Sequence, residues 1–121
     1  MLKRSVLTLV AVAALAVVPL FAHLAVSKSD PAHEGTITAA PKAVSVWFTQ
    51  SPVLAVSALT LEGPKGAVAL GAVKAGPERS LTAEVLDPLQ PGAHTLTWRT
   101  AGNDGHVISG TRTFTYAPAA R

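Results

Sequence analysis

There is no cysteine among the 121 residues of this chain. Its domain must therefore hold together without disulfides, and thiolate chemistry, whether nucleophilic or metal-binding, is excluded. The one methionine is Met1, so no thioether remains inside the chain to seat a soft ion such as Cu(I). Aromatic residues make up 5% and charged residues 14% of the sequence. Lysine and arginine are not clustered and have no aromatic platforms beside them, which argues against a nucleic-acid partner. Sustained helical periodicity is also missing, and no serine, histidine and acid arrangement stands out as a hydrolytic set.

What is present begins with a leader. Lys3 and Arg4 precede an apolar run from Val6 to Ala22 that is broken only by Thr8 and Pro19, the pattern of a secretory signal peptide. The run barely reaches the ~20 residues of a membrane-spanning helix, and Pro19 interrupts it. Cleavage after Ala22 exposes His23, although Leu20 is bulkier than the residue preferred two positions earlier. Ala14-Leu15-Ala16 fits the small-x-small pattern better, but a cut there leaves Val17 to Phe21 as an exposed apolar tail. The expected organisation is a signal peptide over 1–22 and one β domain over 23–121. Residues 23–121 carry eight basic and seven acidic side chains, a net charge of +1. The high isoelectric point thus comes largely from the leader.

Beyond His23 the segments are short, rich in Val, Thr and Leu, and punctuated by Gly and Pro. Val44, Val46 and Phe48 alternate with Ala43, Ser45 and Trp47, which predicts a half-buried strand. Further strands are expected over Val56 to Leu61, Ala67 to Leu70 and Leu81 to Leu86, with turns at Gly63-Pro64-Lys65-Gly66 and Gly76-Pro77. After Pro91-Gly92 a strand places His94, Leu96 and Trp98 on one face, and a last strand runs from Val107 to Tyr116 with a bulge expected at Ser109-Gly110. About seven strands at this spacing predict an all-β, immunoglobulin-like Greek-key sandwich or barrel. Ala117 to Arg121 reads as a frayed tail.

Four histidines and three aspartates are the candidate ligands. Asp104-Gly105-His106 spaces a carboxylate and an imidazole two residues apart, so that in an extended segment both point the same way. The same stretch, Asn103-Asp104-Gly105, also reads simply as a hairpin turn. A terminal His23 adds to the metal reading, because an α-amino nitrogen and its own imidazole Nδ1 form one chelate. Together with His106 this makes three nitrogens, a set that suits Cu(II) in tetragonal geometry, with Asp104 and a water to complete the sphere. His33, beside Glu34 in a loop, is expected to be solvated, and His94 is expected to be a buried hydrogen-bonding residue rather than a ligand.

Several stretches together resemble the CopC family of copper-resistance proteins. They are His23, Ser27-Lys28-Ser29-Asp30-Pro31, the Val44–Phe48 strand, Leu89-x-Pro91-Gly92, Trp98-Arg99 and Asp104-Gly105-His106 followed by Gly110. His23 also keeps that family's eight-residue interval to Pro31. The resemblance implies one Cu(II) ion held by His23, Asp104 and His106, copper handling in the periplasm, no enzymatic activity, and an inner-membrane partner of the CopD type. Three departures qualify it. Gln50 stands where many relatives have an acidic residue, His94 stands where they tend to have tyrosine, and the methionine-rich Cu(I) site of some members is missing.

Two other functions compete with this one. A mononuclear copper oxidase also uses a terminal histidine brace, but needs a second histidine, open positions for oxygen and a substrate platform. A metal-free immunoglobulin-like adhesion or assembly module would fold without copper and take none up.

Overall fold

The computed structural model describes residues 23–119, and the signal peptide expected over 1–22 lies outside the described residues. Nine strands are found among them: β1 (Val26–Asp30), β2 (Gly35–Ile37), β3 (Ala43–Phe48), β4 (Ala58–Gly63), β5 (Gly66–Val68), β6 (Lys74–Gly76), β7 (Ser80–Glu84), β8 (Gly92–Ala101) and β9 (Val107–Tyr116). They form two sheets, β1-β3-β7-β6 and β2-β9-β8-β4-β5, in which every pairing is antiparallel except β2 on β9. The all-β expectation holds, as a β-sandwich with more strands than the seven counted from sequence. The additional ones are short segments such as β2 and β6, at three residues each too brief to show alternation.

Alternation drives the packing. Val44, Val46 and Phe48 turn inward from β3, Leu81 and Ala83 from β7, Leu59 and Leu61 from β4, and Leu96 and Trp98 from β8. Each of the larger of these side chains contributes about 1.5–3 kcal/mol by leaving water. Phe48 and Trp98 meet edge to face across the two sheets, with ring centroids 5.3 Å apart. The β8–β9 hairpin is the longest pairing, in unbroken register from Gly92↔Tyr116 to Ala101↔Val107.

Three expectations are corrected. The bulge proposed at Ser109-Gly110 does not occur, and the register instead shifts between Val26 and Lys28 on β1. Gly110 serves another end: a Cβ there would stand 2.6 Å from Trp98 Cζ2, so the indole lies directly on its backbone. The strand expected to start at Val56 starts at Ala58, because Leu54–Val56 forms a 3-10 turn. Ala117 is not frayed, since its N–H donates to the Ile37 carbonyl at 2.8 Å.

Candidate metal centre

The sandwich axis separates the histidines. His33 lies in the β1–β2 loop, and His94 near the start of β8, whereas His23 and His106 meet at the end where β8 turns into β9. His94 is buried as expected. Its Nδ1 lies 3.0 Å from the Gly92 carbonyl, which fixes that nitrogen as the donor, and its ring stacks on Phe114 at 5.1 Å and 5°. Its Nε2 faces Gly63, where a Cβ would come within 2.8 Å. His33 is exposed, as expected, but its ring is also engaged. Its Nδ1 accepts a hydrogen bond from the Thr113 N–H at 3.0 Å, tying the loop to β9, and its Nε2 faces Glu34 at 3.7 Å.

At the other end, the hairpin loop is built by a tight turn. The Gly105 N–H donates to the Gly102 carbonyl at 3.1 Å, and Gly105 takes a positive φ of 79°, a conformation that glycine adopts without strain. Asp104 is gathered into this turn. Its Oδ1 accepts the His106 N–H at 3.1 Å, and its Oδ2 lies 3.1 Å from His106 Nδ1. Asp104 and His106 therefore converge by a side-chain-to-backbone bond within a turn, not by strand alternation, for β9 begins only at Val107.

His23 arrives from a different part of the chain. The neighbouring Leu24 is buried in the core cluster, and Ala25 is clasped by Thr49: its N–H donates to Thr49 Oγ1 at 2.9 Å and its carbonyl accepts the Thr49 N–H at 2.8 Å. Gly102 completes the seat. A Cβ on it would stand 3.0 Å from Gln50 Oε1 and 3.2 Å from Leu24 Cβ, so the N-terminal segment, the segment after β3 and the hairpin loop press on one glycine. Leu24, Thr49 and Gly102 are positioning residues that the sequence reading missed. The glycine before Asn103 was the one available signal for them.

These anchors bring His23 Nδ1 to 3.5 Å from Asp104 Oδ2, so that one carboxylate oxygen has an imidazole on either side. The two rings stand edge to face with centroids 6.4 Å apart. With metal–nitrogen bonds of ~2 Å, imidazoles on opposite sides of a single ion have centroids about 6 Å apart, a separation close to that of these two rings. The described residues nevertheless contain no three His, Asp or Glu side chains already grouped as a metal cage. The reason is visible in the contacts: both rings turn Nδ1 to Asp104 rather than to a common point outside it. With its proton on Nδ1, His106 keeps a lone pair on Nε2. Both imidazoles are exposed, with about three-quarters of each side chain open to solvent. The Asp104 carboxyl is held below its ordinary range, first by the His106 backbone N–H and then by the His106 side chain. The carboxylate is thus present as an anion at neutral pH.

Comparison with known proteins gives these features a context. The family model for the CopC domain matches residues 26–117. Copper resistance protein C of Xanthomonas campestris pv. juglandis is 32% identical over 121 residues, covering 92% of this chain and 94% of that protein. Protein YobA of Escherichia coli is 29% identical over 101 residues, covering 78% of each. Among solved structures, PcoC of Escherichia coli, a methionine-rich copper resistance protein, superposes with a TM-score of 0.70 at 25% identity, over 78% of this chain and 99% of that one. CopC from Methylosinus trichosporium OB3b has the same fold, with a TM-score of 0.72 at 24% identity, over 82% and 98% of the two chains. The matched span, the β-sandwich and the full-length similarity to a copper resistance protein lead to one assignment: this chain belongs to the CopC family.

Proposed function

We propose that this protein is an exported copper carrier that binds one Cu(II) ion through the α-amino nitrogen and imidazole of His23, the imidazole of His106 and the carboxylate of Asp104. Copper is its cargo, and residues 23–121 are its processed form, acting in the periplasm. The observation that carries the reading is the meeting of His23 and His106 on Asp104 Oδ2, at 3.5 and 3.1 Å, from opposite ends of the chain. Nothing in the packing of a β-sandwich requires two exposed imidazoles to share one carboxylate. The ion supplies the charge that the three side chains then compensate. Asp104 orients His106 and offsets the positive charge, Leu24 and Thr49 hold His23 in reach, and Gly102 lets the segments close.

The donor set is oxygen and nitrogen throughout, which favours Cu(II) over Cu(I). A carboxylate at the centre of the site also fits storage and delivery better than an oxidase, which needs open positions for oxygen. Delivery to an inner-membrane partner of the CopD type is the corresponding role in the cell.

The test is the terminus. One alanine placed before His23 turns the amine into an amide and removes a basic ligand while leaving the fold intact. The authentic form should bind one Cu(II) with a tetragonal, nitrogen-rich paramagnetic resonance spectrum. Its affinity should weaken on acidification, since protons compete for the same nitrogens. The extended form should lose more than the ~10–100-fold in affinity that changes around a ligand shell produce. Equal affinity in both forms, or no binding at stoichiometric copper, would overturn the reading.

A further inference from the structure

Of the three aspartates in the chain, two are followed by proline, Asp30-Pro31 and Asp87-Pro88, and one by glycine, Asp104-Gly105. The difference decides one reaction. A backbone N–H that follows an aspartate can attack that residue's own carboxyl carbon and close a five-membered imide, whereas a proline nitrogen has no hydrogen to lose. Asp104 is thus the one aspartate of the chain at which the ring can form, and it is also the residue that both imidazoles meet.

The hairpin loop gathers the atoms that would react. Asp104 Oδ1 accepts the His106 N–H at 3.1 Å, so the side chain folds forward over the Asp104–Gly105 peptide and carries its carboxyl carbon alongside the Gly105 nitrogen. That nitrogen is itself oriented, since its N–H donates to the Gly102 carbonyl at 3.1 Å. The bond lies in the peptide plane and leaves the face of the nitrogen open to the carboxyl. Nothing shields that face: glycine has no Cβ, and one built on Gly105 would find no atom within 4 Å. The remaining need is a proton for the oxygen that departs. His106 Nδ1 lies 3.1 Å from Oδ2, within hydrogen-bond reach of it.

We propose that Asp104 is a modification site, at which the metal-free protein isomerises spontaneously to isoaspartate, promoted by the same loop that draws Asp104 and His106 together. In the first step the Gly105 nitrogen bonds to Asp104 Cγ and the Cγ–Oδ2 bond breaks. Oδ2 leaves as water: one proton comes from His106 Nδ1, which solvent reloads, and the second balances the proton that the Gly105 nitrogen releases to solvent. In the second step water adds to the imide. Opening at Cγ restores aspartate, while opening at the main-chain carbonyl carbon of residue 104 gives isoaspartate, in which the chain runs through Cβ and Cγ and the carboxylate sits on Cα. Water is the sole co-reactant. The backbone becomes one carbon longer at the turn, so the His106 N–H loses its acceptor and the carboxylate no longer lies between the two imidazoles. The step itself concerns the chain without metal and is independent of the copper reading. Its consequence, a form deprived of one ligand, rests on that reading.

Peptide mapping by electron-transfer fragmentation, which separates isoaspartate from aspartate, follows the metal-free processed protein over several weeks at body temperature and neutral pH. A synthetic peptide of residues 100–109 is the unfolded reference. The expected product is isoaspartate at position 104, preceded by a species one water lighter and accumulating severalfold faster in the folded protein than in the peptide. Gly105→Ala places a Cβ beside the attacking nitrogen and should abolish the reaction. His106→Ala keeps the backbone N–H but removes the proton donor, and should slow it severalfold, with the fold of both variants checked by circular dichroism. A folded protein that isomerises no faster than the peptide, or a rate indifferent to His106→Ala, would overturn the proposal. So would deamidation of Asn103 in place of change at Asp104. The isomerised form, separated by chromatography, should bind Cu(II) more than ~10-fold more weakly. Equal binding would overturn Asp104 as a copper ligand alone, since the metal-free arm reads the isomerisation independently.

Discussion

Replacing Gly102 with alanine tests how the metal centre is held together without altering any ligand. The added Cβ would meet Gln50 Oε1 at 3.0 Å and Leu24 Cβ at 3.2 Å, where ordinary van der Waals contact begins at about 3.4 Å. The first neighbour is the end of a flexible side chain and can swing aside. The second is fixed to the backbone, so relief requires the Leu24 segment to move by a few tenths of an ångström. Leu24 is a core residue, and the displacement is resisted by its packing and by the paired hydrogen bonds between Ala25 and Thr49. Overpacking of this kind costs about 1–3 kcal/mol, and the mobility of Gln50 places it at the lower end. For a domain of this size, ~1 kcal/mol corresponds to a fall in Tm of roughly 4–8 °C. The shift also carries His23 away from Asp104, and copper affinity should fall by about tenfold, within the range of perturbations to groups that orient ligands. Gly71→Ala is the control. Its Cβ meets nothing closer than Glu84 Cβ at 3.5 Å, and it should be neutral or slightly stabilising. Calorimetry and competitive copper titration of both variants check the reasoning. If Gly102→Ala matched Gly71→Ala in both measurements, the N-terminal segment would not be seated on this glycine.

Two further predictions follow from the same geometry. In the metal-free protein the Asp104 carboxyl should titrate below its ordinary value of 3.8 by carbon-13 NMR. His106→Ala should raise it only partly, because the backbone N–H of residue 106, the larger cause, survives the substitution. A folded-state value lowered in this way stabilises the fold at pH above the unfolded value and is lost as pH falls through the folded one, so the stability difference between the authentic protein and an Asp104→Asn variant should be present above pH ~4 and fade on further acidification. His94→Gln should lower stability by about 1–3 kcal/mol through loss of the Phe114 stack and the Gly92 hydrogen bond, with copper stoichiometry unchanged. The seven steps along β8 from His94 to Ala101 span ~24 Å at strand rise, so a copper effect of that variant would contradict the assignment of His94 to the core.

Parts of the fold were legible in the sequence wherever one face of a strand is buried. Val44, Val46 and Phe48 on β3, and His94, Leu96 and Trp98 on β8, announce themselves because period-two alternation survives when the outer face is polar or small. β2 and β6 could not be found in this way. Each has three residues, and β2 is held by pairing with the far end of β9 rather than by any pattern of its own. The missing bulge at Gly110 has a related cause. A glycine in a strand marks either a break in pairing or a close approach, and only the position of Trp98 on the facing strand decides between them. The tie made by exposed His33 was hidden for the same reason, since its partner, the Thr113 N–H, lies 80 residues away.

For the proposed metal centre, the three residues that meet, His23, Asp104 and His106, could be named from the sequence, but the reason for their convergence could not. Asp104 and His106 looked like either a turn or a pair of ligands, as though the two readings were alternatives. The structure makes the turn the cause of the pairing: the Gly102–Gly105 bond folds the loop, the His106 N–H captures Asp104 Oδ1, and Oδ2 is thereby left toward both imidazoles. An extended Asp-x-His would hold its two side chains parallel but would leave neither fixed. Here one carboxylate oxygen holds the backbone while the other meets His106 and His23, so the carboxylate is oriented before any ion arrives. The same economy explains why the histidines can remain exposed. Their orientation comes from Asp104, Leu24 and Thr49 rather than from burial, and an exposed, pre-oriented site can take up an ion and give it away without opening the core.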